Sequence, residues 1–458
     1  MSLSPLDGRY KAIVAPLAKI FDEPGLVQRR VQVEVEYLLL LSALPQVGLP
    51  PLSSEQQRKL RDVYARFDTD AFADIQQEEE KTRHDVKSVE NYLRQRLKQV
   101  GLDAYVPWVH FGLTSEDVNN LAQTLQLRDG GAVILAQARK LQEQLLELIE
   151  GGANAVMPGR THGQLAAPTT MGKELLVFAL QLQELFEELR DFGYRGKMTG
   201  AVGTLAAHQV ALPDVDWLRE SRRFVESFGL EPEPVTTQIL PSTSWVRLFG
   251  LLFRLSLKVS SLAQDLWAYV SLGYFQQLVV ENEVGSSTLP QKVNPIRLEN
   301  AEGNAQFAAA QFSFFVEKFS HSRLQRDLSD STVRRSFGTA YGHLYLSLVS
   351  LTKGLMRLEL AEEVMRDDLG AHPEVLAEAV QVVLRREGRE DAYEAAKLFF
   401  RGRRFDEADF AGWLEGQGLS GQVGRELASL SVFDYTGLAE ALVADYLPAL
   451  KERVSKLA

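Results

Sequence analysis

The sequence has 458 residues and no cysteine. Disulfides and thiolate metal sites are therefore excluded. Its seven histidines are scattered without a ligand-spaced pair, which argues against a structural zinc. No metal and no cofactor are expected. The start, Met1-Ser2-Leu3-Ser4-Pro5-Leu6-Asp7, has no basic n-region and no apolar h-region, so no signal peptide is expected. The longest apolar runs are interrupted by charges such as Arg254, Lys258 and Asp265, so no membrane span is expected either. A cytoplasmic location is the corresponding expectation. Repeats and low-complexity tracts are absent. With 50 basic and 61 acidic residues the net charge is −11, which disfavours general nucleic-acid binding. An anionic small molecule remains compatible, provided cations are gathered locally.

What the chain does have is apolar residues, 45% of the total, enough for a large core. Its length corresponds to roughly two to four domains. Segment 1–110 reads as short helices, predicted at 26–44, 55–66 with Ser53-Ser54 as cap, and 86–99. Pro107 marks its end. Segment 111–360 reads as a bundle of long helices at 115–150, 167–192, 243–280, 296–321 and 331–356. The 243–280 run would span roughly 55 Å and is apolar nearly all round, from Trp245 to Trp267. Such a rod needs burial on every side, so packing between copies of the chain is expected, with burial inside one large bundle as the other option. Segment 361–458 reads again as short helices, broken at Gly370, Pro373, Gly388, Gly402 and Gly418. Without alternating strand segments, the predicted class is all-α, in three domains.

Polar residues beyond the needs of a helix surface occur in several places. The stretch Glu283-Val284-Gly285-Ser286-Ser287-Thr288-Leu289-Pro290-Gln291-Lys292-Val293-Asn294-Pro295-Ile296-Arg297-Leu298-Glu299-Asn300 lies between two predicted helices. It fits either a solvated connector or an active-site lid. Arg9-Tyr10 could form a surface ion pair or grip an anion. In Arg83-His84-Asp85, Asp85 suits a helix cap, but capping leaves the flanking histidine and arginine unexplained. Thr114 and Asp117, in Thr114-Ser115-Glu116-Asp117, match a capping box, and the helix N-terminus behind them could also hold an anion. His162, in Gly159-Arg160-Thr161-His162-Gly163-Gln164, is either structural or a general acid, since imidazole exchanges protons near neutral pH. Finally, four arginines fall within the thirteen residues Arg323 to Arg335. They could line a solvated face or cradle a phosphate.

Gly285-Ser286-Ser287-Thr288-Leu289-Pro290-Gln291-Lys292-Val293-Asn294 resembles the signature loop of the fumarase/aspartase superfamily, G-S-S-x-M-P-x-K-x-N. Leu289 replaces the usual Met, a change of packing between apolar side chains of similar volume, and Gln291 stands where close relatives carry His. The other clusters, in sequence order, resemble motifs of the adenylosuccinate lyase family in its longer bacterial form, over nearly the whole chain. The resemblance implies β-elimination of fumarate from adenylosuccinate to give AMP, and from the succinylaminoimidazole carboxamide ribotide to give its carboxamide product, in purine biosynthesis. Further competitors are another fumarate-releasing lyase of the superfamily, such as argininosuccinate lyase, and a helical oligomer that has lost catalysis.

The resemblance also implies roles. Ser286 is the base, with Ser287 the neighbour to exclude, and Lys292 and Asn294 stabilise the dianionic intermediate. His162 is the acid that protonates the leaving nitrogen, with Glu299 hydrogen-bonded behind it. Arg9 and Tyr10 take the nucleotide end, and Arg83, His84 and Asp85 line the pocket. Thr114 and Ser115 hold the succinyl carboxylates, while Gln238 and Asn300 are further contacts. Arg326 and the run Ser331, Thr332, Val333, Arg334 and Arg335 bind phosphate and nucleotide. The expected partners are small anionic nucleotides and three further copies of the chain, in a homotetramer whose sites are shared between subunits.

Overall fold

Asp22 starts the helical framework by separating two helices. Its Oδ1 accepts from Gly25 N at 2.8 Å, which ends α1 (Lys11–Phe21) and caps α2 (Glu23–Ser42). The structure is a computed structural model that describes residues 3–241, 243–279, 288–289, 291–402, 405, 407–419 and 421–457. Ser53 and Gln56 form the capping box of α3 (Ser54–Ala65). Asp68 caps α4 (Thr69–Thr82), which the sequence reading had not separated. Next comes α5 (Asp85–Gln99), where the cap departs from expectation. The acceptor is His84 Nδ1, which takes Lys87 N at 3.2 Å, while Asp85 turns its carboxylate toward Arg30.

The longest element is α6 (Ser115–Gly151), 37 residues. It is followed by a hairpin, β1 (Val156–Thr161) and β2 (Gln164–Thr170), paired antiparallel. This hairpin replaces the predicted loop and the first turn of the predicted 167–192 helix, so α7 runs Met171–Arg190. His162 and Gly163 form the two-residue turn, with φ of +53° and +72°. Positive φ at both positions is what a type I′ hairpin turn requires. A two-residue strand β3 (Arg195–Gly196) pairs in parallel with β4 (Glu231–Pro232), on either side of α8 (Ala206–Ala211) and α9 (Trp217–Glu226).

The 243–280 rod is shorter than predicted. Helix α10 spans Thr243–Ser271, and Gly273 at φ +79° turns the chain into β5 (Phe275–Gln277). Helix α11 (Ile296–Phe319) packs along it. The predicted 331–356 helix breaks after Arg334 into α12 (Ser329–Arg334) and α13 (Phe337–Leu355). Strand β6 (Leu358–Leu360) pairs antiparallel with β5. Beyond it lie α14 (Glu362–Gly370), α15 (Ala377–Arg386), α16 (Ala392–Phe400), α17 (Glu407–Gly416), α18 (Gln422–Ala428) and α19 (Ala439–Ser455). The fold is thus helical in its bulk, with three two-stranded pairs among the described residues.

The main core is built where α6, α7, α10, α11 and α13 meet, with Trp245, Phe249, Phe312, Phe315, Phe319 and Phe337 ring against ring. Close packing needs small residues at crossings. A Cβ on Gly338 would lie 2.5 Å from Phe21 Cβ. A second cluster joins α2 and the start of α6 to residues 198–230, so the first segment shares a core with the second. A separate small cluster lies within α15 to α18. Along its length α10 is not enclosed by its own chain: Leu257 and Trp267 are 45% and 44% exposed. Among the described residues, no helix is long and apolar enough to cross a membrane.

Within the shared core sits His208, fully buried, its Nε2 2.9 Å from Tyr37 Oη and its ring against Trp217. Burial pushes its pKa from 6.5 down to about 4, the Asp117 carboxylate pulling weakly the other way. The unfolded imidazole therefore takes a proton before the folded one does, and stability drains away as pH falls from 6.5 toward 4. The full loss amounts to about 3 kcal/mol. In urea unfolding across that range, His208→Gln is expected to flatten the acid limb; an unchanged slope would refute the assignment.

Candidate active site

The first turn of α6 carries two adjacent buried carboxylates, Glu116 and Asp117. Burying an ionised carboxylate is costly unless cations and donors surround it, and each of these recruits a different set. Asp117 Oδ2 accepts from Thr114 N at 2.9 Å, so the predicted capping contact is present. Asp117 also accepts Lys197 Nζ at 2.8 Å, Thr199 N at 3.0 Å and Gly200 N at 3.1 Å. Lys197 is fully buried. Asn120 bonds both the N–H and the C=O of Lys197, at 2.9 and 3.0 Å. The segment after β3 is thereby tied to α6.

That segment in turn positions Gln238. Gly203, at φ +82°, brings the chain so close to Thr236 that a Cβ would lie 1.9 Å from its carbonyl oxygen. Thr199 and Thr236 hydroxyls meet at 2.6 Å. Gln238 Nε2 donates to Ala201 O at 3.0 Å, which aims Oε1 at Arg326 Nη1, 3.2 Å away. Arg326 Nη2 lies 3.3 Å from Glu116 Oε2, and Arg334 Nη1 is 2.6 Å from Glu116 Oε1. Arg334 also pairs with Asp330, donates to Gln123 Oε1 at 3.1 Å and lies over the Trp245 ring. Both of its terminal nitrogens are therefore engaged within the chain, and Arg334 braces the buried carboxylate. Ser331 and Val333 are half-buried, and Thr332 and Arg335 are exposed.

Asp85 joins the same region from α5. Arg30 Nη2 sits 2.6 Å from Asp85 and Arg30 Nε donates to Asn119 Oδ1 on α6 at 2.8 Å. Burial alone would push the Asp85 carboxyl up, but the Arg30 charge and the Val86 N–H bring it below its ordinary value. His84 and Arg83 are exposed beside it, and Arg335 is near enough for its charge to act on Asp85. The structure thus gathers residues 83–85, 114–117, 238, 326 and 331–335 around one helix end.

Other predicted residues lie elsewhere in the chain. Asn300 Nδ2 donates to Tyr10 Oη at 3.1 Å, joining the N-terminal Arg9-Tyr10 pair to α11. Lys292 is exposed and Asn294 half-buried on the approach to α11. Ser286, the expected base, and Ser287 lie outside the described residues. His162 is exposed at the hairpin tip, and Glu299 is exposed on α11, its Oε1 accepting from Trp267 Nε1 at 3.2 Å. The hydrogen bond expected between Glu299 and His162 is therefore not made within one chain. Below the tip, Arg160 donates to Asp368 Oδ2 at 2.7 Å, and Tyr274 donates to the same oxygen. A cavity of about 730 Å³ beside this latch is lined by Arg160, Gln164, His372 and Glu374 but by no predicted site residue.

The pattern of the family described as Lyase matches residues 8–308, and that of the family described as Adenylosuccinate lyase C-terminal matches residues 322–436. Proteins named adenylosuccinate lyase are 38% identical in Legionella pneumophila (96% of this chain, 98% of the relative) and 37% identical in Escherichia coli (96% and 98%). One from Dictyostelium discoideum is 38% identical, covering 95% and 96%. The chain belongs to the adenylosuccinate lyase family. Two solved structures share its fold. A fumarate lyase from Mesorhizobium sp. BNC1 matches with TM-score 0.73 at 19% identity over 94% of this chain and 97% of that one. A 3-carboxy-cis,cis-muconate lactonizing enzyme from Pseudomonas putida gives 0.75 at 21% over 95% and 97%.

For this adenylosuccinate lyase family member, motif reading found the residues at the α6 end but missed those that hold them: Glu116, Arg30, Asn119, Lys197 and Asp330. Glu116 lies between Thr114 and Asp117, whose capping pattern masks the buried role of the residue beside them. Lys197 carried no signal at all, because lysine is rarely buried. Removing it would leave Asp117 without its cation, and breaking a buried pair costs about 3–5 kcal/mol. Lys197→Met is expected to destabilise by that order in urea unfolding; a loss within experimental scatter would contradict the account.

Proposed function

We propose that the chain catalyses the β-elimination of fumarate from adenylosuccinate, yielding AMP, and the matching reaction on the succinylaminoimidazole carboxamide ribotide in purine biosynthesis. The observation that carries the assignment is the match of residues 322–436 to the adenylosuccinate lyase C-terminal family, which opens on Arg323 to Arg335. A phosphate-bearing substrate needs such a cluster, and argininosuccinate has no phosphate for it. The cell compartment consistent with this reaction is the cytoplasm.

In the proposed reaction Ser286 removes a proton from the succinyl β-carbon. The electron pair passes into the adjacent carboxylate, giving a dianion that Lys292 and Asn294 stabilise. It then forms the carbon–carbon double bond of fumarate as the C–N bond breaks, and His162 delivers a proton to the departing nitrogen. Thr114 and Ser115 hold the succinyl carboxylates. Arg9, Tyr10, Arg83, His84, Asp85 and Asn300 hold the nucleotide, while Gln238, Arg326, Ser331, Thr332, Val333 and Arg335 face the phosphate and Arg334 braces Glu116 behind them. A serine hydroxyl is a weak base, so its ionisation depends on nearby donors and on Lys292.

The active form is proposed as a homotetramer with shared sites. Two features support this. His162 has no partner among the described side chains, while Glu299, exposed on α11, pairs with Trp267. Apolar side chains also remain open along the paired helices: Leu257 and Trp267 on α10, with Ile296, Phe307 and Phe314 on α11 between 49% and 57% exposed. Positions 296, 303, 307, 310 and 314 follow a heptad-like spacing with Gly303 and Ala310 between the large residues, the form of a helix-packing seam.

Turnover is read by ultraviolet absorbance with adenylosuccinate, the carboxamide ribotide and argininosuccinate in parallel; activity on argininosuccinate alone would overturn the assignment, and a folded oligomer inert on all three would favour a structural role. Ser286→Ala and His162→Ala are each expected to lower kcat by roughly a hundred- to ten-thousand-fold. Near-normal turnover of Ser286→Ala beside a dead Ser287→Ala would move the base by one residue. Phe307→Glu combined with Phe314→Glu is expected to give smaller species in sedimentation and to abolish activity. A fully active monomer would end the shared-site proposal.

A further inference from the structure

From the unequal grip of one carboxylate on two arginines, we infer that Glu116 is a positioning residue that holds Arg326 in reserve and yields it to the substrate phosphate. The inference rests on the reading of Arg326 as a phosphate ligand. Glu116 is fully buried, and its two oxygens serve different guanidinium groups. Oε1 meets Arg334 at 2.6 Å, and Arg334 is fixed further by Asp330, Gln123 and the Trp245 ring. Oε2 meets Arg326 at only 3.3 Å and accepts no well-directed hydrogen bond among the described residues. Arg326 is the less enclosed of the two, its side chain 16% exposed against 5%. The Nε of each is shielded from solvent without a hydrogen-bond partner among the described residues, so the difference lies in the terminal nitrogens and in exposure.

This asymmetry separates the functions of the two arginines. Arg334 compensates the buried charge of Glu116 and stays in place. Arg326 is held near its working position by Gln238 and by a long ion pair, with donors still unsatisfied. A phosphate dianion offers those donors better acceptors and a fork that suits a guanidinium. When Arg326 turns to it, Glu116 remains paired with Arg334, so no buried charge is stranded. The carboxylate thus competes with the phosphate for Arg326, and in doing so keeps the guanidinium from collapsing onto another acid.

The test compares binding of AMP and of adenosine to the full-chain enzyme by calorimetry. Glu116→Gln keeps the shape and the contact to Arg334 while removing the competing charge. AMP is expected to bind on the order of tenfold tighter, the size of one charge-assisted contact, with adenosine affinity unchanged and kcat lowered because Arg326 is less well placed. Equal or weaker AMP binding by the folded variant would overturn the inference, as would a matching gain for adenosine. Should the Gln variant not accumulate, Glu116→Asp serves instead. Its carboxylate is drawn back by one methylene, which weakens most the pair to Arg326 that is already long at 3.3 Å, so the same gain for AMP is expected and its absence is equally fatal. Arg326→Ala separates the two levels. If it leaves AMP affinity unchanged, the phosphate reading itself fails; if it weakens AMP while the Glu116 variants gain nothing, the role of Glu116 alone fails.

Discussion

Two neighbouring carboxylates are buried at the start of the longest helix, and neither can remain there alone. An ionised carboxylate removed from water must find cations or several donors, or the fold pays several kcal/mol for it. Asp117 answers this with Lys197 and three backbone N–H groups, drawing in the segment after β3. Glu116 answers it with Arg326 and Arg334, drawing in the chain around α12. Segments more than 200 residues apart in sequence meet here because charge neutrality requires it. The helix N-terminus, with its own positive end, becomes a place where several cations and donors converge.

The parts of this arrangement that were legible in the sequence are those governed by local rules. Capping at Ser53, and at Thr114 with Asp117, follows from short-range hydrogen bonding and was readable, though the partner Gln56 of the first was not named. The long helices α6 and α11 were placed to within a few residues because their patterns are sustained. The end of α10 was overshot because apolar residues continue past Gly273 into β5, where they serve a strand. The hairpin was read as loop and helix because Pro158, Gly159, Gly163 and Pro168 break its alternation, though His162-Gly163 was the turn signal. At the site, motif likeness supplied residue identities, but pairing was out of reach. Nothing in the sequence says that His84 caps α5, that Lys197 is buried, or that one carboxylate is divided between two arginines. Those outcomes are set by tertiary geometry.

The surface tells a complementary story. Inside the bundle, aromatic rings on α10, α11 and α13 close the core, while the outward side of α10 and α11 keeps large apolar groups in water. Each exposed apolar side chain forfeits about 25 cal/mol for every Å² that another surface could cover. A seam of this length, with small residues spaced between large ones, favours helix-to-helix contact. Glu299 lies on the same helix as that seam, on the turn after Ile296. A second copy packed on that seam would lie beside Glu299, as the proposed shared site requires.

Charge balance links the buried cluster to substrate choice. A chain with net charge −11 repels anions at long range, so affinity for a phosphate-bearing dicarboxylate must come from short-range donors. Near the α6 end, Glu116 and Asp330 offset Arg326 and Arg334 one for one, and Asp85 is offset by Arg30. The cluster is therefore neutral as it stands, which lets the arginines sit close together without self-repulsion. Exposed Arg83 and Arg335 add charge at its edge, where water screens it. An anion gains most by taking over a guanidinium already desolvated and oriented, since that cost was met when the chain folded. The same carboxylates that make the cluster affordable thus also set how firmly an incoming phosphate must bind to displace them.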